Sequence, residues 1–218
     1  MKTFVSWSGG KDCMFALYLY RQSQKDKPCY LLNMCEADSE KSRSHGLNRT
    51  MITAQAEAMN FPLIQQPIID GNYEQSFKEA ISKLKAEGVT TGVFGDIYLE
   101  GHRVWIERVC REMNIDSVFP LWGMDTAEAI QRFVSEGFKT IVVAVGKEKL
   151  SPTFLGRVID DSFLNDLHAT PNIDLCGENG EYHTFVFDGP LFNHPVSFSK
   201  IREYENDKSW LLELKSTV

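Results

Sequence analysis

Phe4-Val5-Ser6-Trp7-Ser8-Gly9-Gly10-Lys11-Asp12-Cys13 runs an apolar strand straight into a turn of small residues, and a helix leaves that turn. Thr3, Phe4 and Val5 are β-formers, placed where a central strand of an α/β sheet often begins. Gly9 and Gly10 allow φ > 0 and let the backbone come close to a ligand. The helix beyond, expected from Lys11 to Gln24, offers unpaired N–H groups and the positive end of its dipole, roughly half a unit charge. Together these features hold an anion such as phosphate. Lys11 adds a full cation. Asp12 would repel a phosphate unless a divalent metal lay between them, so its presence points to Mg²⁺. A Gly-Gly turn that merely joins a strand to a helix is the plainer reading, but the whole Ser-Gly-Gly-Lys-Asp run directly behind an apolar strand favours a phosphate loop. It is not a Walker A loop, which needs four residues between its first glycine and its Gly-Lys pair; here Gly9, Gly10 and Lys11 are consecutive.

Outward from this loop the chain alternates. Cys29 to Cys35 is a continuous apolar run, as a buried parallel strand requires. A polar loop is expected from Glu36 to Arg43, then Ser44-His45-Gly46, then a helix from Leu47 to Met59. Pro62 to Ile69 reads as a strand, Tyr73 to Glu87 as a helix ended by Gly88, and Thr90 to Phe94 as a strand followed by Gly95-Asp96-Ile97. Val104 to Met113 reads as a helix and Ser117 to Leu121 as a fifth strand. Such alternation gives a parallel sheet with helices on both faces, and ligands in such sheets bind outside the carboxyl ends of the strands. Ser8–Cys13 and Gly95-Asp96 both fall there.

Beyond Pro120-Leu121-Trp122-Gly123 the character changes. A helix is expected over Thr126 to Glu136, a strand over Thr140 to Val145, a mostly helical stretch over Leu155 to Leu167, and a strand at Phe185-Val186-Phe187. Strands near Val196–Tyr204 and Trp210–Lys215 make a terminal hairpin, the second alternating as a half-buried strand does. The expected fold class is α/β, with residues 1–123 forming a parallel-sheet nucleotide-binding domain and residues 124–218 a smaller α+β domain.

The 218 residues are 43% hydrophobic and 24% charged, which fits a globular protein with ample core material. No apolar run approaches the ~20 residues a membrane helix needs. Strand residues and the loop begin at once, leaving no room for a signal peptide, so a cytoplasmic location is expected. The five cysteines have no C-x-x-C spacing and are expected to be reduced. A net charge of −7 argues against a broad nucleic-acid surface. Aromatic residues near the terminal hairpin make a homodimer plausible.

A second constellation lies at Cys176-Gly177-Glu178-Asn179-Gly180-Glu181-Tyr182-His183-Thr184. Polar loops of this kind are usually just solvated. Here two glycines imply a shaped backbone, and His183 and Thr184 enter an apolar strand that fixes their direction. Zinc on Cys176 and His183 would lack two further ligands at recognised spacing, and local sequence does not support a Cys-His nucleophile pair.

Ser8-Gly9-Gly10-Lys11-Asp12-Cys13 resembles the PP-loop of the ATP pyrophosphatases, Ser-Gly-Gly-Lys-Asp-Ser, which cleave ATP between the α and β phosphates. Cys13 stands where serine is usual, and a thiol is a weak donor. Taken with Gly95-Asp96-Ile97, Pro120-Leu121-Trp122 and Gly177–Thr184, the chain resembles the diphthine–ammonia ligase (diphthamide synthetase) family over nearly its whole length. The resemblance implies an N-terminal domain similar to the nucleotide-binding α-hydrolase (HUP) fold and a distinctive C-terminal domain. It also implies ATP and ammonia as reactants, and a carboxylate acceptor, that of diphthine, a modified histidine on translation elongation factor 2. On that reading Ser8, Gly9, Gly10 and Cys13 donate to the β and γ phosphates, Lys11 supplies charge and Asp12 meets the metal; donors of this kind contribute ~3–4 kcal/mol each. Gly95 and Asp96 line the nucleotide pocket. Leu32 to Met34 reads equally as an adenine edge or as plain core strand. Glu178, Glu181 and His183 are candidates for orienting the acceptor and deprotonating ammonium, without a choice among them. His45 is more simply a surface histidine. Two other readings stay open: a tRNA-modifying enzyme with the same loop, and a nucleotide-binding regulatory module without turnover.

Overall fold

The computed structural model describes residues 2–24, 29–37 and 47–217. The expected polar loop beyond residue 37 and His45 lie outside them.

Five strands form a parallel sheet in the order β3-β2-β1-β4-β5. They are β1 (Lys2–Ser6), β2 (Cys29–Glu36), β3 (Leu63–Ile68), β4 (Val89–Val93) and β5 (Asp116–Val118). Between them run α1 (Lys11–Ser23), α2 (Arg49–Ala58), α3 (Tyr73–Ala86) and α4 (Glu100–Glu112). β1 is central, which is why Thr3, Phe4 and Val5 are all 0% exposed. Successive strands go to one side of β1 as far as β3 and to the other side from β4 onward. The strand order therefore reverses beside β1, and a crevice opens at the carboxyl ends of β1 and β4. The Ser8–Cys13 loop and Gly95-Asp96 meet in that crevice.

The rest of the chain adds α5 (Thr126–Ser135), β6 (Lys139–Gly146), a 3₁₀ turn at Pro152–Phe154, α6 (Asp161–His168), β7 (Tyr182–Asp188), β8 (Phe198–Glu205) and β9 (Ser209–Ser216). The last four strands form an antiparallel sheet in the order β7-β6-β9-β8. One core lies under α3 and α4 and is built on Phe4, Phe77, Ile81, Phe94 and Val109. A larger core begins with Val5, Met14, Leu17 and Ile52 and continues without a break through Phe133, Val143, Phe163 and Phe185 of the second sheet. Among the described residues no helix is long and apolar enough to cross a membrane. All five cysteines are free thiols.

Four elements depart from the sequence expectation by three residues or more, one of them β5, which ends at Val118 rather than Leu121. α4 starts at Glu100 rather than Val104, because its first turn, Glu-Gly-His-Arg, is polar and carries no apolar periodicity. α6 starts at Asp161 rather than Leu155. Asp160 caps it, with Oδ1 accepting from Phe163 N at 2.8 Å, and the stretch before it pairs with β6 through Arg157 O to Val142 N (2.9 Å) and Ile159 N to Thr140 O (3.0 Å). β7 begins at Tyr182 rather than Phe185, so Tyr182, His183 and Thr184 belong to a strand and not to a loop.

Candidate active site

The loop after β1 turns its amides toward side chains outside the helix. Trp7 N–H still pairs with Leu32 O at 2.8 Å, and beyond it the chain turns through Gly9 at φ +83°. A Cβ on Gly9 would sit 2.6 Å from Ile52 Cδ1, so both the backbone angle and the space require glycine. Gly10 caps α1 without a side chain. The first-turn N–H groups therefore look elsewhere: Lys11 N–H donates to Thr184 Oγ1 at 3.0 Å, and Gly10 N–H reaches Ser8 Oγ at 3.3 Å. The Cys13 thiol donates to Gly10 O at 3.2 Å and lies 3.4 Å from Ser8 Oγ. Burial raises its pKa, so it is a neutral thiol.

Lys11 is 4% exposed. Its Nζ donates to both oxygens of Asp12, at 2.7 and 2.8 Å, and sits 5.4 Å from the centre of the Tyr182 ring. Burial works against the charged ammonium, but neighbouring Asp12 outweighs it and holds Lys11 protonated well above the ordinary lysine value. Gly95, at the end of β4, abuts the same turn: a Cβ there would lie 2.8 Å from both Asp12 C and Cys13 N. Burial raises the Asp96 carboxyl above its usual value, while His102, 3.3 Å away through Nδ1, pulls in the opposite direction.

The segment leading into β7 is shaped by its own carboxylates. Glu181 is 1% exposed; Oε1 accepts from Asp174 N (3.1 Å) and Oε2 from Asn179 N (2.9 Å). Asp174 Oδ1 in turn accepts from Cys176 N (2.9 Å) and Glu178 N (3.1 Å). Tyr182 OH donates to Leu175 O at 2.6 Å. Glu181 is thus a clasp inside the turn and is not among the residues that line the cleft. Glu181, a candidate for orienting the acceptor or deprotonating ammonium, is held inward here, each oxygen accepting one backbone N–H. Glu178 does line the cleft. Burial, then the negative charge of Asp12, push its carboxyl up to about 7. Burial, then Lys11, lower the pKa of His183, which favours the neutral ring.

These groups share one cleft of about 900 Å³. Ser8, Lys11, Asp12 and Cys13 form its floor, Met34, Gly95 and Asp96 stand at the strand ends, and Glu178, Tyr182, His183 and Thr184 form one wall. The opposite wall is aromatic and was not foreseen: Tyr73, Phe77, Phe94 and Trp105. The Tyr73 and Trp105 ring centres are 5.7 Å apart. Trp105 Nε1 donates to Glu74 at 2.9 Å, and Arg108 and Lys78 bond the same carboxylate, fixing the indole plane. Its signal in the sequence was divided between two helices, with Tyr73 and Phe77 one turn apart on α3 and Trp105 on α4.

Among the described residues no three His, Cys, Asp or Glu side chains are grouped to hold a metal by themselves. Cys176 is 3% exposed and donates to Thr126 O at 3.3 Å, and burial pushes its thiol up to about 12. It suits neither a zinc ligand nor a nucleophile. Asp12 and Asp96 are a different matter. Both are carboxylates on the cleft, close enough that the charge of Asp12 helps to raise Asp96. Hard oxygens in that number fit Mg²⁺, which takes one or two carboxylates and fills its shell with phosphate oxygens and water.

Comparison with known proteins agrees with this geometry. Residues 1–117 match the family model of the diphthamide synthase N-terminal domain, and residues 125–217 that of the diphthamide synthase C-terminal domain. A diphthine–ammonia ligase of Danio rerio is 28% identical over 212 residues, covering 87% of this chain and 83% of the relative. One of Bos taurus is 28% identical over 158 residues, 65% of this chain and 59% of that protein. One of Schizosaccharomyces pombe is 25% identical across 100% of this chain, which spans 40% of the yeast protein. Among solved structures, a "predicted subunit of tRNA methyltransferase" from Methanocaldococcus jannaschii aligns with 90% of this chain and 100% of its own, at 16% identity and a TM-score of 0.46. With models of both halves matched, and with the Ser8–Cys13 loop and the turn and strand that carry Glu178 and Thr184 lining one cleft, the chain belongs to the diphthamide synthase family.

Proposed function

We propose that the protein is an ATP-dependent, AMP-forming ligase that adenylates a carboxylate and passes the acyl group to ammonia, with diphthine on elongation factor 2 as the acceptor. The observation that carries this reading is the direct bond between the two halves of the site, Lys11 N–H to Thr184 Oγ1 at 3.0 Å. It sets phosphate donors and acceptor-side groups against one another in a single cleft. Residues 1–123 hold the nucleotide and residues 124–218 present the acceptor. A cytoplasmic setting follows from the acceptor, and half-exposed Ile201 on β8 offers a contact for a second copy.

The residues divide the work as follows. Ser8, Gly10 and the α1 N-terminus receive the β and γ phosphates, and Lys11 places a cation beside them. Asp12 and Asp96 are the residues that would hold Mg²⁺, and the ion would offset phosphate charge. Met34 and the aromatic wall take the adenine ring. An acceptor carboxylate oxygen attacks the α-phosphorus, an acyl-adenylate forms and pyrophosphate leaves. Ammonia attacks the acyl carbon and AMP departs. Ammonium must first lose a proton, and Glu178 is the base, with a carboxyl poised near the working pH. Neutral His183 orients the acceptor.

Glu178 also makes a pH prediction. Its folded-state value, about 7, lies above its ordinary 4.5. Between those values the folded state binds more protons than the unfolded chain, so this group's contribution to stability is complete below pH 4.5 and is lost as pH rises through about 7. Activity should run the other way, rising with the ionised base. Thermal melts and turnover measured from pH 4.5 to 8 check both. Glu178→Gln should flatten the stability decline over that window and slow amide formation ~10²-fold.

The reading is tested by incubating the protein with ATP, Mg²⁺, ¹⁵N-ammonium and elongation factor 2 that carries diphthine. The ¹⁵N label is expected in the factor as a new amide. Nucleotide that stays intact with this acceptor would sink the proposal, and adenylation of added tRNA instead would move it to the tRNA-modifying reading.

A further inference from the structure

We infer that Gln55 is a positioning residue of the phosphate loop, holding the Gly9 carbonyl inward and so aiming the Gly10 amide at the bound phosphate. Gln55 is 0% exposed, a polar residue in the buried stripe Met51, Ile52, Gln55, Ala56 of α2. Its amide is fully engaged. Oε1 accepts from Trp7 Nε1 at 2.9 Å, and Nε2 donates to Gly9 O at 3.0 Å and to Val186 O at 2.5 Å. The partners fix the orientation of the amide, because an indole N–H can only donate and a backbone carbonyl can only accept.

Gly9 O receives a second donor, Val186 N–H of β7, at 3.0 Å. Two donors on one carbonyl lock the Gly9–Gly10 peptide plane. That peptide is trans, like every other described. In a planar trans peptide the carbonyl and the following N–H point in opposite directions. Drawing the carbonyl toward α2 and β7 therefore turns the Gly10 N–H away from them, on the side of Ser8, which lines the cleft. Gln55 also lies directly beneath the loop, since a Cβ on Gly9 would come within 3.2 Å of Gln55 Oε1. The amide donates to Ser8 Oγ at 3.3 Å, a group on the cleft, and an N–H held in this direction can pass from Ser8 to a bound anion without the peptide plane turning. Because Val186 shares the bond, the loop is set by the same strand that carries His183 and Thr184.

This inference rests on the reading of the loop as an ATP site, and the experiment separates the two. MgATP and inorganic pyrophosphate are titrated by calorimetry into wild type, Gln55→Met, Gln55→Glu and Leu84→Ala. Leu84 is 0% exposed in the core under α3 and serves as a destabilised control away from the loop. Gln55→Met is expected to keep its circular dichroism and bind both ligands at least 10-fold more weakly, while Leu84→Ala, though it melts earlier, stays within twofold of wild type. Gln55→Glu keeps the acceptor for Trp7 but faces two carbonyls with a carboxylate. Relative to wild type at the same pH it should bind at least 10-fold more weakly at pH 8 and recover part of that loss at pH 5.5, where a protonated carboxyl donates again. If Gln55→Met does not fold, the two-pH comparison on Gln55→Glu decides. Wild-type affinity in the Gln55 variants, or an equal loss in Leu84→Ala, would overturn the inference alone. A wild-type protein that binds neither ligand would overturn the functional reading and the inference with it.

Discussion

Lys11→Ala is expected to lower AMP release about a thousandfold while the protein still folds. The ammonium sits at the first helical position of α1, 4% exposed, on the floor of the cleft. Pyrophosphate leaving from ATP gathers negative charge where this cation stands. Asp12 holds the lysine at 2.7 Å. The fold should tolerate the loss because Asp12 is 29% exposed and its carboxylate can be solvated. Tyr182 keeps its own anchor through Leu175 O. Lys11→Arg should not rescue, since a planar fork replaces a compact ammonium in a closed site beneath the Tyr182 ring. Melting curves and AMP release under saturating ATP check both halves. Unimpaired release in Lys11→Ala would contradict the assigned role.

Gly95→Ala should damage the molecule through its backbone rather than its chemistry. The added methyl would come within 2.8 Å of Asp12 C and Cys13 N, atoms of the first turn of α1 that cannot rotate aside. β4 must then separate from α1, at a cost of about 3 kcal/mol, which in a chain of this size lowers Tm by about 6–12 °C. The displaced turn carries Lys11 and the loop amides, so ATP affinity should fall with it. Gly101→Ala is the natural comparison. It lies in α4 with nothing within 4 Å of an added Cβ, and it should leave Tm unchanged or slightly raised. Equal melting temperatures for the two variants would contradict the close approach of β4 to α1.

The phosphate loop and the parallel sheet were legible because the loop is local: strand, small turn, lysine and helix lie within ten residues, and each has a backbone reason to be there. The departures share a cause. Elements whose polar residues carry the structure leave no periodic trace, as with the first turn of α4, or with α6, where the Asp160 cap mattered more than the apolar spacing before it. Glu178 and Glu181 lie three apart in one turn, and no spacing says which faces the cleft. The turn settles that through the amides of Asp174 and Asn179, which claim Glu181 and leave Glu178 on the cleft wall. The aromatic wall was hidden because α3 and α4 each supply part of it. Gln55 left the clearest unused signal, a lone amide among methionine, isoleucine and alanine on a buried helix face.

The most direct test of the account follows oxygen. Acceptor labelled with ¹⁸O in its carboxylate is turned over with ATP, Mg²⁺ and ammonium, and the nucleotide product is weighed by mass spectrometry. Attack of the carboxylate on the α-phosphorus predicts AMP that carries one ¹⁸O, with unlabelled pyrophosphate beside it. ADP as the product, or AMP without label, would contradict adenylation of the acceptor at this loop.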